Sequence, residues 1–270
     1  MIALSALLVW MAPAFAGSSA FPAAATVKTA DGLTLQATYG QPAKPSVNGA
    51  VFVHMNGRSK EDWALVAEDC WRAGAYVITV DLRGMGSNVA KGATPVPPTP
   101  EDYLKMVEDV KAAVAFLRAK GVTHVTLVGA ELGANLAINV AADDPAVVDV
   151  VLLSPGMTYK GVIATDAVKR YGPRAFYMAA SQDDAYGFQS LTRLADLATG
   201  PKKVEVFDTA GKGTMMLNRE PELQGNVVGW IGTHWTVAAV VEPKAPTTIV
   251  VKPSEGTLET TGPTGSPLPK

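Results

Sequence analysis

Residues 122–156, VTHVTLVGAELGANLAINVAADDPAVVDVVLLSPG, are the stretch on which the fold turns. Val125, Leu127 and Val128 form an apolar, β-branched run that reads as a buried strand, and the small-residue series Ala134, Leu136, Ala137 and Val140 reads as a helix. Between them Gly129 to Gly133 leave room only for a sharp turn. Glu131 is at the tip, and Val147 to Leu153 is the next apolar strand.

Upstream, Thr26 to Ala30 and Leu33 to Tyr39 flank Asp31-Gly32, which predicts a hairpin with a two-residue turn. Gly49 to His54 is continuously apolar, as in a strand buried on both faces of a parallel sheet. A helix over Glu61 to Ala73 follows from the spacing of Trp63, Val66, Ala67, Cys70 and Trp71, with Gly74 as its stop. Cys70 lies on that stripe and is read as core packing. Ala75 to Leu82 is another buried strand, and the proline-rich loop Thr94 to Pro100 leads into a helix over Glu101 to Lys120. Downstream come an excursion through Lys160 to Tyr171, strands at Ala175 to Ala180 and Lys203 to Phe207, and helices over Tyr186 to Leu197 and Pro221 to His234. Such alternation predicts an α/β fold, a three-layer α/β/α sandwich around a mostly parallel sheet with right-handed crossovers.

The 270 residues are 48% hydrophobic and 18% charged with a net charge of -2, enough for one large core in a single domain over 17–240. The absence of a long Lys/Arg cluster argues against nucleic acid as a partner. One cysteine excludes an intrachain disulfide framework. His54, His124 and His234 are too far apart for a local metal motif, and neither metal nor cofactor is implied. The apolar N-terminus, Pro13 and Ala14-Phe15-Ala16 read as a signal peptide over 1–16, cleaved after Ala16, which places the protein in the periplasm or outside the cell. The run is too short for a permanent membrane span. Residues 241–270, rich in Pro, Thr, Gly and Ser, read as a flexible tail.

The order of these pieces resembles the α/β-hydrolase superfamily, in a compact form similar to dienelactone-hydrolase-like esterases with a minimal lid. There the turn after the central strand is a G-x-S-x-G elbow with a nucleophilic Ser at its tip; here the tip is Glu131. Val53-His54-Met55-Asn56-Gly57 occupies the place of the family's strand and His-Gly loop, although Met55 stands where the family commonly has Gly. By position, the resemblance makes the backbone N–H groups of Asn56 and Leu132 the oxyanion-hole donors. Asp81-Leu82-Arg83-Gly84-Met85-Gly86-Ser87 is another familiar stretch of the family. The family's acid falls at Asp184, with Asp183 as the alternative; capping of the following helix explains one of these two equally well. The family's His falls at Lys212, within Gly211-Lys212-Gly213.

The resemblance therefore places Glu131, Asp184 and Lys212 at triad positions, two of them altered. In a Ser enzyme, His takes the nucleophile's proton and later returns it to the leaving group. An ammonium flanked by carboxylates is a poor general base near neutral pH. Glu131 could attack as a carboxylate, as Asp does in haloalkane dehalogenases, but release of that ester needs a His-activated water. A carboxylate at the elbow also opposes a developing oxyanion, by about 4 kcal/mol at ~4 Å and an effective dielectric near 20, roughly a thousandfold in rate. His54 is read as scaffold, His124 lies at the far end of the elbow strand, and His234 ends the last helix. The resulting expectation is an exported hydrolase-fold protein without Ser-type activity. Glu131 and Lys212 would be paired, and a small molecule in the remnant pocket or an envelope protein would be the partner. The alternative is a divergent hydrolase of small esters that uses Glu131, Lys212 and Asp184.

Overall fold

The computed structural model describes residues 21–94, 96–237 and 248–251; the segment read as a signal peptide and most of that read as a tail lie outside the described residues. In chain order the first half comprises β1 (Ala23–Lys28), β2 (Thr34–Gly40), β3 (Asn48–Val53), a 3-10 turn over Lys60–Trp63, α1 (Ala64–Arg72), β4 (Tyr76–Val80), α2 (Pro100–Arg118), β5 (His124–Ala130) and α3 (Leu132–Asp143). The second half comprises β6 (Val147–Leu153), the short strands β7 (Thr158–Tyr159) and β8 (Val162–Ile163), α4 (Thr165–Tyr171), β9 (Ala175–Ser181) and α5 (Ala185–Leu197). It closes with β10 (Lys202–Phe207), α6 (Met215–Arg219), α7 (Pro221–Val237) and β11 (Thr248–Val251).

The main sheet runs β1-β2-β4-β3-β5-β6-β9-β10-β11. The β1–β2 and β2–β4 pairs are antiparallel, and every pairing from β4 to β11 is parallel. Period-two alternation divides each central strand between two cores. Val51 and Val53 of β3 and Leu127 of β5 face the layer containing Val110 and Leu117 of α2 and Leu136 of α3. Ala50 and Phe52 of β3 and Val128 of β5 face the opposite layer, with Val66 and Cys70 of α1 and Val227 and Ile231 of α7. Both layers are shielded from solvent, which is why these strands read as continuous apolar runs. The proline-rich loop ends in a capping box: Thr99 and Asp102 exchange side-chain and backbone hydrogen bonds and Pro100 opens α2.

One local expectation is corrected, and two elements appear that the sequence reading did not include. The turn at Asp31-Gly32 is not a two-residue hairpin loop. Lys28 pairs with Thr34, and Thr29 Oγ1 accepts the Leu33 N–H at 2.9 Å, so a side chain organises a wider loop over residues 29–33. The five-residue helix α6 separates Lys212 from α7, too short to leave a periodic signal. Inside the segment read as a tail, residues 248–251 pair with β10 along the sheet edge. That tetrapeptide, Thr-Ile-Val-Val, has high strand propensity, which the average composition of the segment conceals.

The parallel strands place the loops after β3, β5, β6, β9 and β10 at one edge of the sheet. In open α/β sheets that carboxyl-end edge is where ligands bind.

Candidate functional site

The elbow is built by backbone close approach. A Cβ on Gly129 would lie 2.2 Å from the carbonyl oxygen of Gly133, and one on Gly133 would lie 2.3 Å from that of Val53. Neither atom can move without moving β3 or α3, so both positions require glycine. Between them Glu131 adopts φ 50° and ψ -114°, a region that disfavours any side chain. Its N–H donates to Leu153 O at 2.9 Å and its carbonyl accepts from Asn135 at 3.2 Å, which tie the tip to β6 and α3.

This geometry brings the Glu131 carboxylate to two partners from distant parts of the chain. Oε2 accepts the backbone N–H of Asn56 at 3.0 Å. Oε1 accepts a hydrogen bond from the Lys212 ammonium. The glutamate is buried, whereas the lysine side chain is 44% exposed. The loop that carries Lys212 is anchored along its length: Ala210 N–H donates to Ser181 Oγ at 2.8 Å, Gly211 N–H to Asp183 Oδ1 at 3.0 Å and Gly213 N–H to Ser154 Oγ at 2.8 Å. Thr214 Oγ1 then donates to Asp62 Oδ2 at 2.8 Å. Gly211 and Gly213 both have positive φ. A Cβ on Gly213 would lie 2.1 Å from Met55 Sδ, so Met55 fills the space beneath this loop.

Asp184 is not in the ion pair. It is the N-cap of α5, with Oδ1 accepting the Gly187 N–H at 3.2 Å. Its Oδ2 is buried and unpartnered among the described residues. Asp183 holds the Lys212 loop through Gly211 and lies 3.7 Å from Arg219 Nη1. Leu132 is buried in the first turn of α3, immediately after the tip. His54 is buried, with Nε2 accepting the Leu82 N–H at 3.0 Å and Nδ1 at 2.7 Å from Met55 O. That pattern assigns the neutral ring with its proton on Nδ1. Burial depresses its pKa, consistent with that form. With both nitrogens occupied, His54 fixes the loop after β3 and cannot serve Glu131. Cys70 is buried and burial pushes its thiol up, which suits packing rather than chemistry.

Three contributors carry no motif. Ser154, immediately after β6, is left-handed with φ 47° and presents its hydroxyl to Gly213. Positive φ at a serine leaves no trace in composition. Tyr159 sits near both acidic groups: burial raises its phenol above the usual range, and the charges of Asp184 and Glu131 add to the effect. It belongs to the β7–β8 hairpin, whose Lys160-Gly161 turn has positive φ at both residues. Lys-Gly between two pairs of β-branched and aromatic residues, Thr158-Tyr159 and Val162-Ile163, is the available turn signal. Asn135 pins the hairpin to α3, donating to Val162 O at 2.8 Å and accepting from Gly156 N–H at 3.0 Å. An open cleft of about 500 Å3 adjoins Asn56, walled in part by Met85, Val96, Pro98 and Tyr103. Among the described residues no group of His, Cys, Asp and Glu is placed to hold a metal ion.

The profile of the Alpha/beta hydrolase family matches residues 50–252, three quarters of the chain. The chain belongs to the α/β-hydrolase family. No curated protein sequence matches it significantly. Among solved structures, it is similar to an esterase from Pyrococcus furiosus, with a TM-score of 0.63 and 16% identity over 79% of this chain and 93% of that one. A dienelactone hydrolase from Anabaena variabilis gives a TM-score of 0.62 at 16% identity, covering 80% of this chain and 96% of the other. An acetyl xylan esterase from a Paenibacillus species gives 0.63 at 15% identity, covering 78% and 83%. Likeness at this level of identity establishes the shared fold alone. No helix among the described residues is long and apolar enough to cross a membrane.

Proposed function

We propose that this member of the α/β-hydrolase family is an exported protein without Ser-type hydrolase activity that retains the site for binding. The observation that carries the proposal is the double engagement of Glu131, whose carboxylate takes the Asn56 N–H with one oxygen and the Lys212 ammonium with the other. By resemblance, Asn56 would donate to the oxyanion of a tetrahedral intermediate; here that donor already serves a resident negative charge. A carbonyl approaching the elbow meets a carboxylate where catalysis needs unoccupied donors. Lys212, as an ammonium, donates hydrogen bonds and has no lone pair with which to take a proton.

The test combines a fluorophosphonate probe, which labels activated serines, with a panel of short- and medium-chain p-nitrophenyl esters. The unmodified protein is expected neither to label nor to turn over any ester above background. Turnover of any ester would overturn this reading, and its loss in each of Glu131→Gln, Lys212→Gln and Asp184→Asn would support the alternative, a divergent hydrolase of small esters that uses those three residues.

A further inference from the structure

We propose that the cleft beside Asn56 binds a small amphipathic monocarboxylate, its anionic end held by Arg58 and Lys160 and its apolar body lying against Met85, Val96, Pro98 and Tyr103. The proposal rests on the non-hydrolytic reading above and names the ligand class of that site. Cleft size comes first: about 500 Å3 accommodates a small ligand of this kind. Its walls are mostly apolar side chains and glycine backbone, and Arg58 is the single charged side chain lining it among the described residues.

Arg58 is only partly committed. Its Nε and Nη2 bond the Asp62 carboxylate at 2.9 and 2.7 Å, which leaves Nη1 without a protein partner among the described residues. Its side chain is 55% exposed, so the free edge is accessible. Asp62 holds the guanidinium in place and is itself fixed by Thr214.

Lys160 supplies the second cation. It occupies a left-handed position in the β7–β8 turn, and its Nζ lies 5.5 Å from the centroid of the Tyr103 ring that forms one cleft wall. The hairpin beneath it is rigidly supported, with Asn135 donating to Val162 O and Asn139 to Ile163 O, each at 2.8 Å. Tyr186 adds a further tie, exchanging hydrogen bonds with the backbone of Thr158. Lys160 is thus an exposed ammonium held over the ring of a tyrosine that forms one cleft wall.

Charge complementarity narrows the ligand. A cationic amphiphile would meet two positive groups and a Tyr103 ring already facing an ammonium. A dianion such as a phosphate monoester matches poorly, because Asp62 neutralises much of Arg58. A neutral alcohol or ester would gain no charge-assisted bond from the free edge of Arg58 or from Lys160. A monocarboxylate brings one negative charge to the free edge of Arg58, on the side of the cleft whose Tyr103 wall carries Lys160, and removes its chain from water.

The experiment is isothermal titration of the full chain with decanoate, decanol and decyltrimethylammonium below their aggregation limits, with p-nitrophenyl decanoate hydrolysis followed in parallel. Decanoate is expected to bind at least about tenfold more tightly than either other probe, as a charge-assisted hydrogen bond implies. Arg58→Gln and Lys160→Gln should each remove most of that preference, whereas Lys111→Gln, on α2 and remote from the cleft, should not. Lys160→Gln alters an exposed side chain, so it remains informative even if loss of the Arg58–Asp62 pair lowers stability. Equal binding of decanol, no binding of any probe, or full preference in both variants would overturn the proposal. Ester turnover would instead overturn the non-hydrolytic reading, so the two failures are distinguishable.

Discussion

Glu131 Oε2 and the Asn56 backbone N–H are joined at 3.0 Å, which links the tip of the elbow after β5 directly to the loop after β3. The same carboxylate pairs with Lys212, giving a buried acid one backbone and one side-chain partner. Because the lysine is half-exposed, the pair lies between a surface ion pair and a buried one, and its coupling should be about 1–2 kcal/mol. Chemical denaturation of Glu131→Ala, Lys212→Ala and the double variant measures it. The double change should cost less than the sum of the singles; strict additivity would exclude the coupling.

Backbone strain at the elbow gives a separate expectation. At φ 50° and ψ -114°, glycine is favoured over any residue with a Cβ. Glu131→Gly should be about 1–2 kcal/mol more stable than Glu131→Ala. Both lose the ion pair, so the difference isolates the conformation. Equal stabilities would show that the elbow relaxes when the carboxylate is removed.

The flanking glycines should tolerate no substitution. At Gly129 and Gly133 an added methyl meets backbone oxygens at 2.2 and 2.3 Å, whereas at Gly57, with φ 71°, nothing lies within 4 Å. Gly129→Ala and Gly133→Ala should each cost about 3 kcal/mol or more, or prevent folding. Gly57→Ala should cost about 1 kcal/mol from conformation alone. Thermal midpoints of the three variants provide the comparison.

Asp149 should make stability pH-dependent. It is fully buried at the start of β6, with Thr126 Oγ1 donating to Oδ1 at 2.5 Å and Oδ2 unpartnered among the described residues. Burial raises its pKa from 3.8 to about 7, and the Thr126 hydrogen bond opposes that shift. Folded-state pKa exceeds the unfolded value, so between pH 3.8 and about 7 the native state binds more protons. This residue's contribution is therefore fully present below pH 3.8, falls as pH rises, and is lost above about 7. Asp149→Asn should flatten that part of the profile and stabilise the protein at pH 8. Unfolding midpoints measured across pH 4 to 8 with an unchanged slope in the variant would assign the dependence elsewhere.

The N-terminal reading predicts a mature chain that begins at Gly17. Protein recovered from the envelope or the medium should give that residue in N-terminal sequencing; recovery of an intact Met1 end there would exclude cleavage after Ala16.

Residues 122–156 by themselves determined the strand, turn and helix of the elbow. Apolar periodicity and paired glycines report local backbone conformation within a few residues. The same local signals identified most of the alternating elements, and their order carried the family resemblance. Tertiary structure decided what the elbow contacts. Glu131 and Lys212 are 81 positions apart, and their pairing depends on β5 and β10 delivering their loops to the same sheet edge. Asp183 and Asp184 are adjacent and chemically identical in sequence, yet one anchors the Lys212 loop and the other caps α5. Ser154, Tyr159 and Asn135 act through a left-handed backbone, burial beside distant carboxylates and contacts with another element. Those properties arise only when non-local segments pack, because a spacing pattern records which face a residue occupies and not what the rest of the chain brings to that face.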